Sequence, residues 1–252
     1  MYLHDLLLDL PASDRLEFLK KCEIRYFRRN EFVLRAVDWS QHLYSVASGL
    51  LRVAEHGNQS PGEVTTDFIR RGDFFISTSL SKEKYQAISS LIAALPSAVY
   101  FIPISVMHDL CSKHPKVGLR LLELEVKRVA MFRKQLRRVS SMDADSIIRR
   151  VLHDLTQLAP AETGGFDKRI SQGIIASYAG LSRAMVNKTM RGMEGMGLLR
   201  KEGRGISVHP DFASTDFGSF KARLQKISEG GADQERLKAP STPSDLPKNI
   251  KK

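Results

Sequence analysis

Thiols are scarce in this chain of 252 residues, which has two cysteines, Cys22 and Cys111. Two thiols are too few for a disulfide framework or for the four thiolates of a zinc or iron–sulfur site, so we expect a reducing, cytoplasmic environment. The seven histidines are scattered without the short, paired spacing of metal ligands. We therefore expect no metal and no other cofactor.

Long apolar runs are also missing, since no stretch reaches the roughly 20 residues that a membrane-spanning helix needs. The first segment, MYLHDLLLDLPASDRLEFL, holds Asp5 and Asp9 among its apolar residues, which predicts a short amphipathic helix rather than a signal peptide. The sequence lacks the GxSxG, HExxH, P-loop and dinucleotide-binding signatures. We expect neither an enzyme nor a membrane protein.

Acidic residues are outnumbered: 28 Asp and Glu stand against 39 Lys and Arg, a formal net charge of +11. Such an excess favours a polyanionic partner, either nucleic acid or an anionic membrane surface. The alternative is that the basic residues only keep the protein in solution.

The residues from about 24 to 103 have the texture of β-structure. Short segments rich in Val, Ile, Phe and Tyr are separated by Gly, Asn, Ser and Pro, and Gly49 and Gly72 stand where one strand gives way to the next. The segments are EFVLRAV, HLYSVASGLLRVAE, VTTDFIRRGDFFIS and SAVYFIP. They predict a sandwich, roll or barrel for a first domain over residues 1–112.

A long helix is predicted over residues 113–142. Its apolar residues recur at steps of three, four, three and seven, with Arg133 at the intervening seam position, as in a coiled coil. The seam residues are Leu119, Leu122, Val126, Val129 and Leu136. This pattern favours pairing of two chains into a homodimer; the alternative is an amphipathic helix that lies on its own domain.

Two further segments frame the last third of the chain. A helix is predicted over Ala144–Leu158, with Asp143 or Asp145 near its N-cap. Residues 213–252 are rich in Lys, Ser, Pro and Gly, which predicts a basic, disordered tail with one short helix near Phe220–Ile227. Such a tail would add non-specific DNA affinity.

Residues 171–208, SQGIIASYAGLSRAMVNKTMRGMEGMGLLRKEGRGISV, have the pattern of a helix-turn-helix within a third domain over residues 143–212. The motif needs a small residue where two helices cross, a glycine in the turn and a later apolar residue. Ala176, Gly180 and Val186 meet those needs. Apolar contacts beneath come from Ile175, Leu181 and Met190.

The second helix of this motif, over about residues 182–194, begins after Ser182, a good N-cap. Its outward face is predicted to carry Arg183, Ala184, Asn187, Lys188 and Arg191. An α-helix fits the major groove of B-DNA, where Arg binds guanine O6 and N7 while Lys and Ser hold phosphates. Three methionines are predicted to pack on the inward side rather than bind a metal: Met190, Met193 and Met196.

A tight hairpin is predicted after this helix, because LLRKEGRGISV alternates around Gly203 and Gly205. Such a hairpin forms a wing, with three residues placed to touch phosphate: Arg200, Lys201 and Arg204. Helix, turn, helix and basic hairpin in this order favour DNA binding over an ordinary helical hairpin.

A β-rich first domain, one long helix and a C-terminal winged helix in this order resemble the Crp–Fnr superfamily of bacterial transcription regulators, over about residues 15–210. LYSVASGLLRV is similar to that family's strand-turn-strand, FIRRGDFFIS to its Gly-Asp-Phe strand end, SAVYFIP to its last β-roll strand and GLSRAMVNKTM to its recognition helix. The resemblance implies an α+β fold. Its parts are an N-terminal antiparallel β-roll of the cyclic-nucleotide-binding, jelly-roll type, a long dimerisation helix and a C-terminal winged helix-turn-helix.

The resemblance also implies roles for single residues. Ser171 and Ser182 would contact phosphates, Arg183 would read a base, and Lys188 stands where a second basic reader is common. Ala184 occupies the position of a base-reading glutamate, and alanine cannot accept a hydrogen bond from cytosine N4. The operator should therefore differ at that base pair from the cyclic-AMP receptor's. RNA polymerase is a further implied partner.

The effector pocket departs from the family's pattern. Members that bind cyclic AMP use a Gly-Glu pair and a downstream Arg-Ser pair, whereas Ile76–Ser77 and Ala87–Ile88 stand at those positions here. A buried phosphate without that guanidinium loses its strongest hydrogen bonds, so cyclic-AMP sensing is not expected. A different anionic or polar effector and an empty pocket both remain open. The candidate pocket residues are Gly72, Ser77, Thr78, Ser79, Ala87 and Ile88.

These observations predict a homodimeric, sequence-specific DNA-binding transcription regulator that reads an inverted repeat. One alternative is a cyclic-nucleotide-responsive regulator with an unusual pocket, and another is a winged helix for protein or RNA contact. A protein-binding helix would present apolar or acidic groups, and an RNA-binding surface would present aromatic groups for stacking. The basic residues of the predicted face argue against protein contact, and the lack of aromatic residues on that face argues against RNA.

Overall fold

The computed structural model describes residues 5–8, 10–56, 62–78 and 80–213. The predicted tail beyond residue 213, with its helix at Phe220–Ile227, and the candidate pocket residue Ser79 lie outside these ranges. The helices are α1 (Ala12–Lys20), α2 (Ile104–Lys113), α3 (Pro115–Ser141), α4 (Ala144–Leu158), α5 (Gln172–Ala179) and α6 (Arg183–Gly195), with 3-10 turns at Asp5–Leu7 and Pro210–Ala213. The strands are β1 (Glu23–Phe27), β2 (Phe32–Leu34), β3 (Trp39–Ser40), β4 (His42–Ser48), β5 (Leu50–His56), β6 (Glu63–Arg70), β7 (Phe74–Phe75), β8 (Tyr85–Gln86), β9 (Ser90–Ala93), β10 (Ser97–Pro103), β11 (Phe166–Asp167), β12 (Leu199–Glu202) and β13 (Gly205–Val208).

Two four-stranded antiparallel sheets form the β-roll, in the orders β1-β10-β4-β7 and β2-β9-β5-β6. They share one core, since Val46 of β4 and Val99 of β10 lie in the same buried cluster as Leu51 of β5 and Leu91 of β9. The predicted antiparallel β-rich domain is confirmed.

Two strands of the four-stranded sheets, β1 and β9, lie outside the four segments that the sequence predicts, and so does the small two-stranded sheet of β3 and β8. Strand β9 is buried at all four positions, and β1 is exposed at four of its five. Strand β9, SLIA, is apolar without alternation, so it lacks the period-two signal on which strand prediction depends. Strand β1, EIRYF, alternates in sequence, but its apolar residues Ile24 and Tyr26 are exposed.

Helix α3 has two different faces. Val117 and Leu121 are buried together with residues of α2 and the N-terminal segment, so part of the helix lies on its own domain. The opposite face carries the predicted seam, whose residues Leu119, Leu122, Val126, Val129 and Leu136 are 62, 60, 60, 45 and 70% exposed. An apolar stripe more than four turns long is therefore left in solvent by the single chain.

The third domain packs α4, α5 and α6 against a small antiparallel sheet in the order β11-β13-β12. Asp143, rather than Asp145, caps α4, because its Oδ1 accepts a hydrogen bond from the Ser146 N–H at 3.0 Å. Gly165 has a φ of +70°, and a Cβ there would collide with the carbonyl of Ile206. Only glycine therefore lets β13 approach this closely.

Candidate DNA-binding surface

The turn between α5 and α6 has the predicted helix-turn-helix geometry. Gly180 ends α5 with a φ of 67°, in the left-handed region that favours glycine. Ala176 and Val186 are buried where the two helices pack. Ser171 and Ser182 cap α5 and α6, since each Oγ accepts a hydrogen bond from the N–H three residues on, at 3.2 Å. The helix-turn-helix prediction is confirmed.

The outward face of α6 is cationic and open to solvent. Its exposed residues are Ser182, Arg183, Ala184, Lys188 and Arg191, and Asn187 is half-buried. The Arg183 side chain lies across the first turn of α5, where a Cβ on Gly173 would be 3.7 Å from Arg183 Nε. Gln172 Nε2 donates to Asn187 Oδ1 at 3.4 Å. Residues of both helices therefore build this face.

The start of α5 and the start of α6 lie side by side, because Ser171 and Arg183 both border the space above Gly173. The first turn of a helix has unpaired N–H groups and a partial positive charge, which suit phosphate oxygens. Each capping hydroxyl accepts a bond from its own helix and keeps its O–H to donate to a phosphate. Arg183 adds the donor fork that matches guanine O6 and N7.

Two of the three methionines of this region face inward as predicted. Met190 and Met193 are buried, whereas the prediction for Met196 is wrong, because its side chain is 54% exposed. Helix α6 ends at Gly195, and Met196 is its C-cap. Beyond the end of the helix, the helical period no longer carries a side chain back to the buried side.

The wing is the hairpin of β12 and β13, which presents the exposed side chains of Arg200, Lys201 and Arg204. Lys168 supports its turn, since Nζ donates to the carbonyl of Gly203 at 2.7 Å. Lys201 Nζ lies 2.9 and 3.1 Å from the two carboxylate oxygens of Glu194 on α6. One cation of the wing is therefore bound to a carboxylate of α6.

We expect Lys201→Ala and Glu194→Gln to change DNA binding in opposite directions. Lys201→Ala removes one phosphate-binding cation, so specific and random DNA bind more weakly and the salt slope becomes shallower by about one. Glu194→Gln releases the same cation from its carboxylate, so random DNA binds more tightly. Fluorescence anisotropy on a random duplex at several salt concentrations measures the affinity and the salt slope of each variant. Parental slopes in both variants would show that Lys201 does not reach phosphate.

Three residues of this surface escape the sequence analysis: Lys168, Gln172 and Gly173. Gln172 and Gly173 follow an N-cap serine directly, and the first turn of a helix faces the same ligand as its cap. That position is the signal that points to them. Lys168 acts through a carbonyl 35 residues away, so no local pattern reveals its role.

The candidate effector residues differ widely in exposure. Ala87 is 3% exposed within the core of the β-roll, while Ile88 beside it is 79% exposed. Gly72 forms the turn after β6 with a φ of +85°, and Ser77 and Thr78 are half-buried. Of the two residues that the resemblance places at the phosphate-binding Arg-Ser pair, one is therefore buried in the core and the other is exposed to solvent.

A guanidinium reaches this end of the β-roll from α3 instead. Arg128 Nε donates to Asp67 Oδ2 at 2.8 Å, and its Nη1 donates to the carbonyl of Phe74 at 2.7 Å. Burial raises the pKa of the Asp67 carboxyl, while the charge and hydrogen bond of Arg128 lower it in part. Burial also raises the pKa of Glu125, next to Arg128. An incoming phosphate would have to compete with carboxylates of the chain itself.

A surface groove of about 940 Å³ lies elsewhere on the β-roll, among residues of β1, β2, β3 and β4. Arg25 stands over the Phe101 ring and Lys84 over the Trp39 ring at its walls. None of the candidate effector residues lines it. The groove and the predicted pocket are therefore different places.

Both thiols are half-buried. Cys22 donates from Sγ to the carbonyl of Phe18 at 3.2 Å, and burial raises its pKa to about 12. Burial raises the pKa of Cys111 as well. Across the described residues, no cluster of three or more His, Cys, Asp or Glu has the arrangement to hold a metal ion. In those same ranges, no helix is long and apolar enough to cross a membrane.

Comparison with protein families gives two matches along the chain. Residues 24–114 match the cyclic nucleotide-binding domain, and residues 148–210 match the Crp-like helix-turn-helix domain. The first match covers the β-roll and α2, and the second runs from within α4 to the end of the wing. The chain is therefore a transcription regulator with a helix-turn-helix DNA-binding domain.

The protein belongs to the Crp–Fnr superfamily. It is similar to the anaerobic regulatory protein of Pasteurella multocida, at 22% identity over 79% of this chain and 73% of that one. It is also similar to the cAMP-activated global transcriptional regulator CRP of the same organism, at 22% identity over 76% and 92% of the two chains. These relatives are transcription regulators, which confirms the prediction that the chain is not an enzyme.

Solved structures support the fold. The c-di-GMP-responsive global regulator CLP of Xanthomonas campestris matches with a TM-score of 0.66 and 21% identity, over 79% of this chain and 99% of that one. FixK2 of Bradyrhizobium japonicum matches with a TM-score of 0.65 and 16% identity, over 74% and 92%. The predicted order of β-roll, long helix and winged helix-turn-helix is confirmed.

Proposed function

We propose that this regulator binds its operator as a homodimer and reads an inverted repeat. The exposed cationic face of α6, set beside the capped start of α5, is the observation that carries the proposal. One recognition helix of each chain enters a major groove, so the half-sites lie about 34–36 Å apart, one helical turn of DNA. Arg183 reads a base, Lys188 and Asn187 lie on the same face, and the wing holds phosphates.

The seam of α3 supports the dimer. Burying an apolar side chain of this size stabilises by about 1.5–3 kcal/mol, and pairing of two α3 helices covers the five seam residues of each chain. Arg133, at the intervening position, is exposed and long enough to carry its charge out of the seam. Sedimentation equilibrium should give twice the 28.3-kDa mass of the chain, and a monomer at micromolar concentration would contradict the dimer.

We propose that cyclic AMP does not control this regulator. The named relatives include a cAMP-activated regulator and a c-di-GMP-responsive one. In this chain Ala87 is buried in the core, and Arg128 is bound to Asp67. The residues therefore favour DNA binding without a cyclic nucleotide. Contact with RNA polymerase and a cytoplasmic location stay predictions.

Selection from a randomised duplex pool tests the proposal, with no nucleotide, with cyclic AMP and with c-di-GMP in parallel. We expect the same inverted repeat in all three arms. Recovery only with a nucleotide would overturn the effector part and leave the DNA function standing. No repeat in any arm would contradict sequence-specific binding, and a single half-site without its inverted copy would contradict the dimer.

A further inference from the structure

We propose that Ser177 of α5 fixes the separation of the two recognition helices and so sets the spacer length that the dimer accepts between half-sites. The proposal rests on the proposed function, because it concerns a dimer on an inverted repeat. It is carried by contacts that join the long helix, strand β6 and the first helix of the helix-turn-helix.

The Ser177 hydroxyl takes the place of a neighbouring strand. Within the described sheets β6 stands at an end, so the main-chain groups on its outer side lack a strand partner. The Thr65 N–H donates to Ser177 Oγ at 2.7 Å, and the Ser177 hydroxyl donates to the carbonyl of Glu63 at 2.7 Å. One hydroxyl thereby satisfies a donor and an acceptor two residues apart. Thr65 is 1% exposed, so water does not readily replace it.

Two neighbouring contacts orient the same joint. The Phe68 ring of β6 meets the Tyr178 ring of α5 edge to face, with centroids 4.8 Å apart. Arg29 donates from Nη1 to the carbonyl of Arg169, just before α5, at 2.9 Å. With the two hydrogen bonds of the Ser177 hydroxyl, these contacts attach the α5 region to the β-roll at several points, so α5 cannot rotate about any one of them.

Strand β6 is fixed to the long helix as well. Asp67 lies between Thr65 and Phe68 on that strand and binds Arg128 of α3. On the other side, α6 is tied to the rest of its domain, since Thr189 Oγ1 donates to Asp145 Oδ1 of α4 at 3.1 Å. A continuous path of contacts therefore runs from α3 through β6 and α5 to the recognition helix.

The covalent connection offers a much looser path. Helices α3 and α4 are joined by Met142 and Asp143 alone, and rotation about a two-residue link swings everything that follows it. The contact of Ser177 with β6 removes that freedom. Because Ser177 is half-buried and lies away from the exposed face of α6, its loss should leave the reading of each half-site intact.

Binding to a series of spacers tests this role. The selected inverted repeat is made with its spacer shortened or lengthened by one or two base pairs, and an isolated half-site is included. We expect Ser177→Ala to lower the preference for the best spacer about ten-fold, as expected for a lost hydrogen bond to a buried group. Affinity for the isolated half-site should stay at the parent's value.

Three further variants separate positioning from folding. Ser177→Thr keeps the hydroxyl and should keep the spacer preference, whereas Tyr178→Leu should lower it. Ser89→Ala removes a hydroxyl that binds Glu55 elsewhere on the β-roll at 2.9 Å, so it should behave as the parent.

Two results would overturn the role of Ser177: an unchanged spacer preference in Ser177→Ala, or an equal loss on every spacer and on the isolated half-site. The second result would make Ser177 a structural residue of its own domain. If the parent chain selects no inverted repeat, the proposed function fails first and this proposal fails with it.

Discussion

Arg183→Ala should weaken operator binding by about 1–3 kcal/mol per half-site, because the bidentate contact of a guanidinium with guanine discriminates by about that amount. For a dimer with two half-sites the loss is about 2–6 kcal/mol. Specificity should flatten at one base pair of each half-site. Anisotropy titrations on the operator and on its single-base variants measure both effects.

Arg191→Ala is the matched control for this prediction. It removes the same charge from the same helix, eight residues further from the helix start, where major-groove contacts to base edges concentrate. We expect a similar loss on specific and random DNA and no change in the preferred sequence. If Arg183→Ala binds the operator as tightly as the parent, the register assigned to α6 is wrong.

Arg128→Ala should destabilise the protein by about 3–5 kcal/mol, because it leaves the buried Asp67 carboxylate without its cationic partner. The loss includes the hydrogen bond to the carbonyl of Phe74, which holds β7 to the long helix. Urea unfolding monitored by circular dichroism measures it. The paired variant Asp67→Val with Arg128→Leu should recover most of the stability, since replacing a whole buried ion pair with apolar residues is often close to neutral.

The deficit of Arg128→Ala should also depend on pH. Burial raises the pKa of Asp67 above its unfolded value, and Asp73 and Glu125 lie among the charges around this ion pair. The folded state therefore binds the extra proton, and this group's contribution to stability is present at low pH and lost as pH rises through the folded pKa. Loss of Arg128 raises the folded-state pKa of Asp67 further. The loss of stability in Arg128→Ala should therefore be largest near neutral pH and smaller in mild acid. A deficit that does not change with pH would contradict a buried, unpaired Asp67.

The parts that the sequence predicted well depend on neighbours along the chain. The caps at Ser171 and Ser182 act within one helical turn, and Gly180 acts through its own backbone angle. The seam of α3 repeats every three or four residues, so its exposed stripe could be located without coordinates. Short-range chemistry of this kind leaves a periodic or positional trace in the sequence.

The parts that escaped prediction depend on residues far apart. The bond between Arg128 and Asp67 joins residues 61 apart, and the bond between Ser177 and Thr65 joins residues 112 apart. Neither Asp67 nor Ser177 belongs to a sequence motif, because the role of each depends on the residue that the fold places next to it. The opposite orientations of Ala87 and Ile88 escaped for the same reason, since they follow from how one short connection meets the core.

The crowding of positive charge around Gly173 has a consequence for the protein when no DNA is bound. Two helix starts and the Arg183 guanidinium lie around the same patch of solvent, and like partial charges that lie close together repel each other. DNA binding and folding stability therefore place opposite demands on the charge of this patch. Substitutions that reduce the positive charge of this patch should therefore raise the stability of the protein and weaken its binding to DNA.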